Sequence, residues 1–115
     1  MVRERLFECT VLVPTRKSTT ISGGDLHPAP LWEQLEQMLL ATFDRLWMPQ
    51  GLFRTLSFDA ESGRKREEDA RGFIVAVSEG RLDELRRVLA DACDWFGQQS
   101  IRLSIAGRVE FVSKR

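Results

Sequence analysis

Histidine and cysteine, the side chains that most often bind transition metals, are nearly absent from this chain. It has one histidine, His27, and two cysteines, Cys9 and Cys93, which lie near opposite ends of the sequence. A metal site needs several such ligands at close spacing, so we predict no metal and no cofactor. We expect both cysteines to be small buried side chains with free thiols, which suits the reducing cytoplasm.

Net charge and long apolar segments are also absent. The chain has 17 basic and 17 acidic residues, so its formal net charge is zero and there is no bulk attraction to nucleic acid or anionic membranes. The charged start, residues 1–5, is not followed by the apolar region of a signal peptide. No run approaches the roughly 20 apolar residues that a membrane span needs. We therefore expect a soluble, cytoplasmic protein with a single domain over residues 1–115.

The last third of the chain has the clearest secondary-structure pattern. Apolar residues recur at helical spacing over 82–96 and predict an amphipathic helix. Gly97 suits the end of that helix, because glycine adopts the left-handed conformation without strain. Over 101–111 apolar and polar residues alternate, which predicts one strand that buries Val109 and Phe111. Gly107 is expected to cause a bulge or a kink in this strand.

The rest of the chain is divided by two polar connections. One is the Ser-, Thr-, Gly- and Pro-rich loop at 15–30, and the other is the highly charged stretch at 59–71, which predicts a solvated hairpin arm or loop. Apolar spacing predicts the remaining elements, which are strands at 6–13, 52–58 and 73–77 and a helix at 31–46.

The order of these elements is strand, helix, strand, strand, helix, strand. It predicts an α+β fold, the ferredoxin-like βαββαβ sandwich, with an antiparallel sheet of order 4-1-3-2 and both helices on one face. The strands at 6–13 and 73–77 carry apolar residues on both faces. The uncovered side would hold Leu6, Leu12, Ile74 and Ala76, or their odd-numbered neighbours if the faces are reversed. Such a patch needs cover. A second copy of the chain is the expected cover, so we predict a homodimer.

A resemblance to a known family supports this fold. The run Phe96-Gly97-Gln98-Gln99-Ser100 resembles a Phe-Gly-Gln-x-Ser element found before the last strand in an uncharacterised bacterial family of small ferredoxin-like domains. Trp32, the Gly51-Leu52 pair and, more loosely, Arg66-Glu67 also match that family. The chain departs from it in lacking tyrosine and in having a strongly charged hairpin. The resemblance implies the ferredoxin-like fold and no particular activity.

Gln98 and Gln99 are the polar residues most suggestive of a binding site. They lie between a buried helix end and a buried strand. Their amides either satisfy free backbone carbonyls at the helix terminus or line a small-molecule pocket. Trp32 and Arg54 complete the set of candidate ligand-binding residues.

The function predicted from these features is a non-catalytic binding or assembly module, with a small molecule or a protein as its partner. One alternative is a small enzyme that uses Asp25 and His27 of the 15–30 loop as an acid–base pair. A second alternative is an RNA-binding domain, because Arg71, Gly72 and Phe73 match a basic-Gly-aromatic motif and Phe7 could supply the partner aromatic. The neutral net charge argues against nucleic acid.

Overall fold

One antiparallel sheet and two helices make up a small α+β domain. The structure, a computed structural model, describes residues 5–17, 24–58 and 61–114. The described elements are β1 (Leu6–Pro14), α1 (Ala29–Phe43), β2 (Phe53–Phe58), β3 (Lys65–Ser78), α2 (Leu82–Phe96), β4 (Ser100–Ile105) and β5 (Arg108–Ser113). The sheet has five strands in the order β2-β3-β1-β4-β5. The predicted class, an antiparallel sheet with two helices, is confirmed, whereas the predicted number of four strands is wrong.

The fifth strand arises where a single last strand was predicted. Ala106 and Gly107 both have positive φ, 48° and 89°, and together they form a two-residue hairpin turn between β4 and β5. Ile105 therefore pairs with Arg108 across the turn, and the alternation of faces is inverted after it. Because of this inversion Val109 and Phe111 are 49% and 66% exposed. The prediction that both are buried is wrong.

The core lies between one face of the sheet and the two helices. Alternate residues of β1, β3 and β4, such as Val11, Phe73 and Leu103, are fully buried there. The bidentate hydrogen bonds from the Arg86 guanidinium on α2 to the Glu110 carboxylate, at 2.6 and 3.2 Å, confirm that the even-numbered residues of β5 face the helices. No helix in the described ranges is long and apolar enough to cross a membrane.

Helix α1 ends earlier than its apolar pattern predicts. It stops at Phe43 because Asp44 adopts the left-handed conformation, with φ of 66°, and donates its backbone N–H to Leu40. Aspartate tolerates that conformation better than most residues. The chain beyond then runs along the edge of β3, where Trp47 forms two backbone hydrogen bonds with Ile74.

The sheet face away from the helices, here called the open face, has no covering element among the described residues. Leu6 is 60% exposed there, and Leu12, Ile74 and Ala76 are half-buried. Strand β2 pairs with the first residues of β3, Lys65–Ala70, as a hairpin, here called the arm, whose base also pairs with β1 at Ala70. Every residue of β2 is exposed. The predicted charged hairpin is therefore a paired β-arm in its described residues, and positions 59 and 60 lie outside them.

Candidate functional site

A groove crosses the open face between the arm and β5. Its volume is about 720 Å³, within the roughly 300–1,000 Å³ typical of small-molecule sites. Strand β1 supplies part of the floor through alternate residues that point away from the helices, and the end of α2 leads into the groove's far wall. The groove lining includes Phe53, Glu68, Gln98, Arg102 and Phe111.

The aromatic ring of Phe53 lies on the floor of the groove in space that is left by the missing side chain of Gly72. A Cβ atom added at Gly72 would lie 2.5 Å from Cε2 of Phe53 and 3.4 Å from Cδ2 of Leu12. The missing side chain therefore lets the Phe53 ring lie over β3 towards β1. Phe53 remains 39% exposed, and Phe111 on β5 is 66% exposed. The groove thus offers two accessible aromatic rings.

Three charged side chains give the groove its polar character. On the arm, Arg54 forms an ion pair with Glu67, which holds the pKa of that carboxyl below its usual value. Glu68 supplies the one carboxylate among the lining residues, and Arg102 of β4 contributes a half-buried guanidinium. The groove can therefore form ion pairs with both a cationic and an anionic group of the same ligand.

Gln98 is fixed by the end of α2. Gly97 has φ of 62°, and the backbone N–H of Gln98 donates to the carbonyl of Cys93 at 2.9 Å, which closes the helix terminus. The Gln98 side chain, only 3% exposed, places Nε2 at 2.5 Å from the Arg16 carbonyl and 3.2 Å from Nε2 of His27. The predicted C-terminal role of Gly97 is confirmed, and it determines where Gln98 points.

His27 lies behind Gln98 on the core side of the groove. It is 7% exposed and makes edge contacts with the rings of Trp32 and Phe96. Burial lowers the pKa of His27, an effect that the Pro14 carbonyl opposes. Its Nδ1 has no hydrogen bond of normal geometry to any described residue. The imidazole is therefore neutral near pH 7 and serves as a partner of Gln98.

Three of the four candidate ligand-binding residues predicted from the sequence line this groove, namely Arg54, Gln98 and Gln99. The fourth, Trp32, is 7% exposed and lies in the core, where it stacks on Phe73 at 6.1 Å. The guanidinium carbon of Arg71 lies over the Trp32 ring, 4.5 Å from the ring centroid. Trp32 therefore supports the core beneath the sheet and does not reach the groove.

The residues of the two alternative functions are placed differently. Asp25 is exposed while His27 is buried, and no hydrogen bond joins the two side chains in the described part of the loop, so they do not form the predicted acid–base pair. Phe73 is fully buried, and Phe7 packs against the same core. Both aromatics of the predicted RNA site thus lie on the helix-covered face, where no base could stack on them.

Other reactive groups are kept out of the groove. Cys9 and Cys93 are free and buried, and burial raises the pKa of Cys9 to about 11. Within 5–17, 24–58 and 61–114, no group of three or more His, Cys, Asp or Glu side chains is arranged to hold a metal ion.

The sequence did not predict four groove residues that could contact a ligand, namely the aromatic Phe53 and Phe111 and the charged Glu68 and Arg102. Phe111 was assigned to the core because the alternation of residues was read as continuous across Gly107. Phe53, Glu68 and Arg102 each lie on a strand. These three residues could have been assigned to the open face if the strand register had been known, because they lie on the face opposite to the buried residues.

Comparison with known proteins identifies the fold. No protein-family model matches the sequence, and no curated protein matches it. The chain is similar to a phage SAM lyase in complex with S-methyl-5′-thioadenosine, with a TM-score of 0.63, 14% identity, and coverage of 98% of this chain and 95% of that one. It is also similar to a phage SAM lyase in the apo state, with a TM-score of 0.58, 12% identity, and coverage of 100% and 98%.

At these identities the likeness shows the fold alone, but it corrects the predicted function. The fold that this chain shares over nearly its whole length serves an enzyme in the phage SAM lyase. The prediction of a non-catalytic binding or assembly module is therefore wrong, because the fold points to an enzyme. The resemblance to a family with a Phe-Gly-Gln-x-Ser element stays a prediction.

Proposed function

We propose that this protein is an enzyme that binds S-adenosylmethionine (SAM) in the groove and releases S-methyl-5′-thioadenosine from it. The observation that carries the proposal is the end-to-end likeness to a SAM lyase that was solved with S-methyl-5′-thioadenosine bound. The groove adds support, because it combines a suitable volume with exposed aromatic rings and charges of both signs.

The groove residues match the chemical parts of SAM. Adenine is a flat aromatic system, and stacking a base on an aromatic side chain contributes about 1–3 kcal/mol. Phe53 and Phe111 provide such rings. The sulfonium is a cation, which the Glu68 carboxylate would attract, and the substrate carboxylate suits the guanidinium of Arg102. Each part of the ligand thus has a partner of the complementary kind.

The proposed reaction breaks the bond between the sulfonium sulfur and the γ-carbon of the methionine moiety. As that bond breaks, an oxygen of the substrate's own carboxylate attacks the γ-carbon, so the four-carbon fragment leaves as a five-membered lactone. Both electrons of the broken bond go to sulfur, which becomes the neutral thioether of S-methyl-5′-thioadenosine. The thioether is a good leaving group, so the protein's main contribution is to hold the four-carbon chain folded with its carboxylate against the γ-carbon. Glu68 would stabilise the bound sulfonium, and Arg102 would position the far end of the substrate.

An activity assay tests this proposal. Purified protein is incubated with SAM, and S-methyl-5′-thioadenosine is quantified by chromatography against heat-denatured protein, which reports spontaneous breakdown. We expect release well above that background, and a decrease of about tenfold or more in Glu68→Gln, on the scale of one lost charge interaction. Glu61→Gln, in the turn between the two strands of the arm and outside the groove lining, is the matched control. No release above the background by folded wild-type protein would contradict the proposal.

The same proposal includes a ferredoxin-like arrangement, a homodimer, and a cytoplasmic location that keeps the buried thiols reduced. A two-stranded hairpin is only marginally stable alone. On the arm, Leu56 and Phe58 are 51% and 78% exposed, and a second copy would cover them. Light scattering tests this part: we expect the mass of two chains, and that of one chain in Phe58→Glu, which lies outside the groove lining. A single-chain mass for wild type at micromolar concentration would contradict it.

A further inference from the structure

The carboxamide of Gln98 is held in one orientation by two neighbours on the core side of the groove. The atom that lies 2.5 Å from the Arg16 carbonyl oxygen must be the nitrogen, because a carbonyl oxygen only accepts hydrogen bonds. The same nitrogen lies 3.2 Å from Nε2 of His27. Since burial keeps His27 neutral, Nε2 can accept this second N–H, and the ring proton is then on Nδ1.

Both N–H groups of the Gln98 amide are therefore used, and only the side-chain oxygen is left for a ligand. Gln98 lines the groove although it is only 3% exposed. A glutamine that is free to rotate can donate or accept, but this one is restricted to accepting. An acceptor of fixed direction at the wall of a groove selects ligands that present a donor there.

We propose that the Gln98 oxygen accepts a hydrogen bond from the exocyclic amino group of the adenine ring, and that His27 is the positioning residue that keeps the amide in this orientation. The proposal rests on the proposed function, because it specifies how that groove recognises its ligand. The amino group is the donor-only group of S-methyl-5′-thioadenosine, whereas its ribose hydroxyls can either donate or accept. A fixed acceptor therefore distinguishes bases, and the exposed rings of Phe53 and Phe111 in the same groove suit the faces of that base.

A ligand pair that differs at one position measures this directly. In S-methyl-5′-thioinosine a carbonyl oxygen replaces the amino group, so two acceptors would face each other. Loss of a hydrogen bond that leaves a buried partner unsatisfied costs about 1–3 kcal/mol. We expect wild-type protein to bind S-methyl-5′-thioadenosine about 10- to 100-fold more tightly than the inosine analogue, measured by isothermal titration calorimetry.

Gln98→Met keeps the length of the side chain and removes the amide, and should reduce this preference to within about threefold. Gln34→Met, the same change on the exposed surface of α1, should keep the wild-type preference. If Gln98→Met does not fold, His27→Phe tests the same geometry: it frees one amide N–H and should also reduce the preference. His27→Gln, which restores an acceptor near that position, should recover it.

The outcomes separate the two proposals. If wild-type protein binds S-methyl-5′-thioadenosine but shows no preference over the inosine analogue, the role of Gln98 is refuted and the proposed function survives. An unchanged preference in folded Gln98→Met also refutes that role. If wild-type protein binds neither compound, the proposed function fails and the role of Gln98 fails with it.

Discussion

Gly72 offers the sharpest test of the groove, because one added methyl group should displace the Phe53 ring. The Cβ of Gly72→Ala would lie 2.5 and 3.1 Å from two carbons of that ring. Real Cβ atoms do not make contacts as short as the first. Since Phe53 is 39% exposed, its ring can turn towards solvent and relieve the clash. The substitution thus changes the groove more than the core.

The expected effects on stability and on binding therefore differ. Overpacking a closed core costs about 1–3 kcal/mol, but here the ring can move away, and replacing glycine also reduces the entropy of the unfolded chain by about 0.4–1 kcal/mol. We expect the free energy of unfolding to change by less than about 1 kcal/mol. Binding of S-methyl-5′-thioadenosine should weaken about tenfold, near the middle of the stacking range.

Calorimetry and urea unfolding measure the two effects, with Gly80→Ala as the control because an added Cβ there meets nothing within 4 Å. Phe53→Ala should weaken binding by a similar factor. In the double variant, Gly72→Ala should add almost nothing to the effect of Phe53→Ala, because both act through one ring. Additive losses, or wild-type affinity in folded Gly72→Ala, would refute the assignment of Phe53 as a stacking platform.

Three further predictions concern the frame around the groove. Gly97→Ala should destabilise the fold by about 1–2 kcal/mol in urea unfolding, because Gly97 has φ of 62°; a change as small as that in Gly80→Ala would contradict this. Burial lowers the pKa of His27 below its ordinary 6.5, so the unfolded chain takes up a proton before the folded chain does, and the protein loses stability as the pH falls from about 6.5 towards the folded pKa. Thermal unfolding of His27→Phe should therefore depend less on pH between 6.5 and 5 than that of wild type. An unchanged dependence would argue against a neutral buried ring. Cys9 and Cys93 should not react with a thiol reagent at pH 8 until denaturant is added, since burial raises the pKa of both thiols; rapid reaction in the native state would show that the core opens.

Helical spacing, strand alternation and helix-ending glycines predicted the parts of the fold where the sequence pattern fits only one kind of secondary structure. The 3.6-residue spacing of α2 and the glycine at its end are the best example, and the alternation in β1 is another. The turn between β4 and β5 shows why such rules fail. Ala106 is not a residue that normally signals a turn with positive φ, and the apolar alternation continues through it. A strand and a hairpin therefore have the same pattern there, and only the pairing of β5 with β4 decides between them.

The candidate site was less predictable, because the residues that line a groove on a sheet depend on how the strands are aligned with one another. Gln98 and Gln99 stood out since polar residues at a buried junction need partners. Phe53 and Phe111 look like core residues in the sequence, and nothing local indicates which face of a strand is left uncovered. His27 was equally hard to place from the sequence. Its loop is polar, yet the ring is buried because Trp32 and Phe96 surround it.

We expect an adenosyl thioether to bind on the open face of the sheet. A crystal structure of the protein with S-methyl-5′-thioadenosine tests it most directly. We predict that the adenine lies in the groove against the ring of Phe53 or Phe111, with its amino group within hydrogen-bonding distance of the Gln98 oxygen. An ordered ligand bound elsewhere on the protein, or an empty groove at saturating ligand, would contradict the claim.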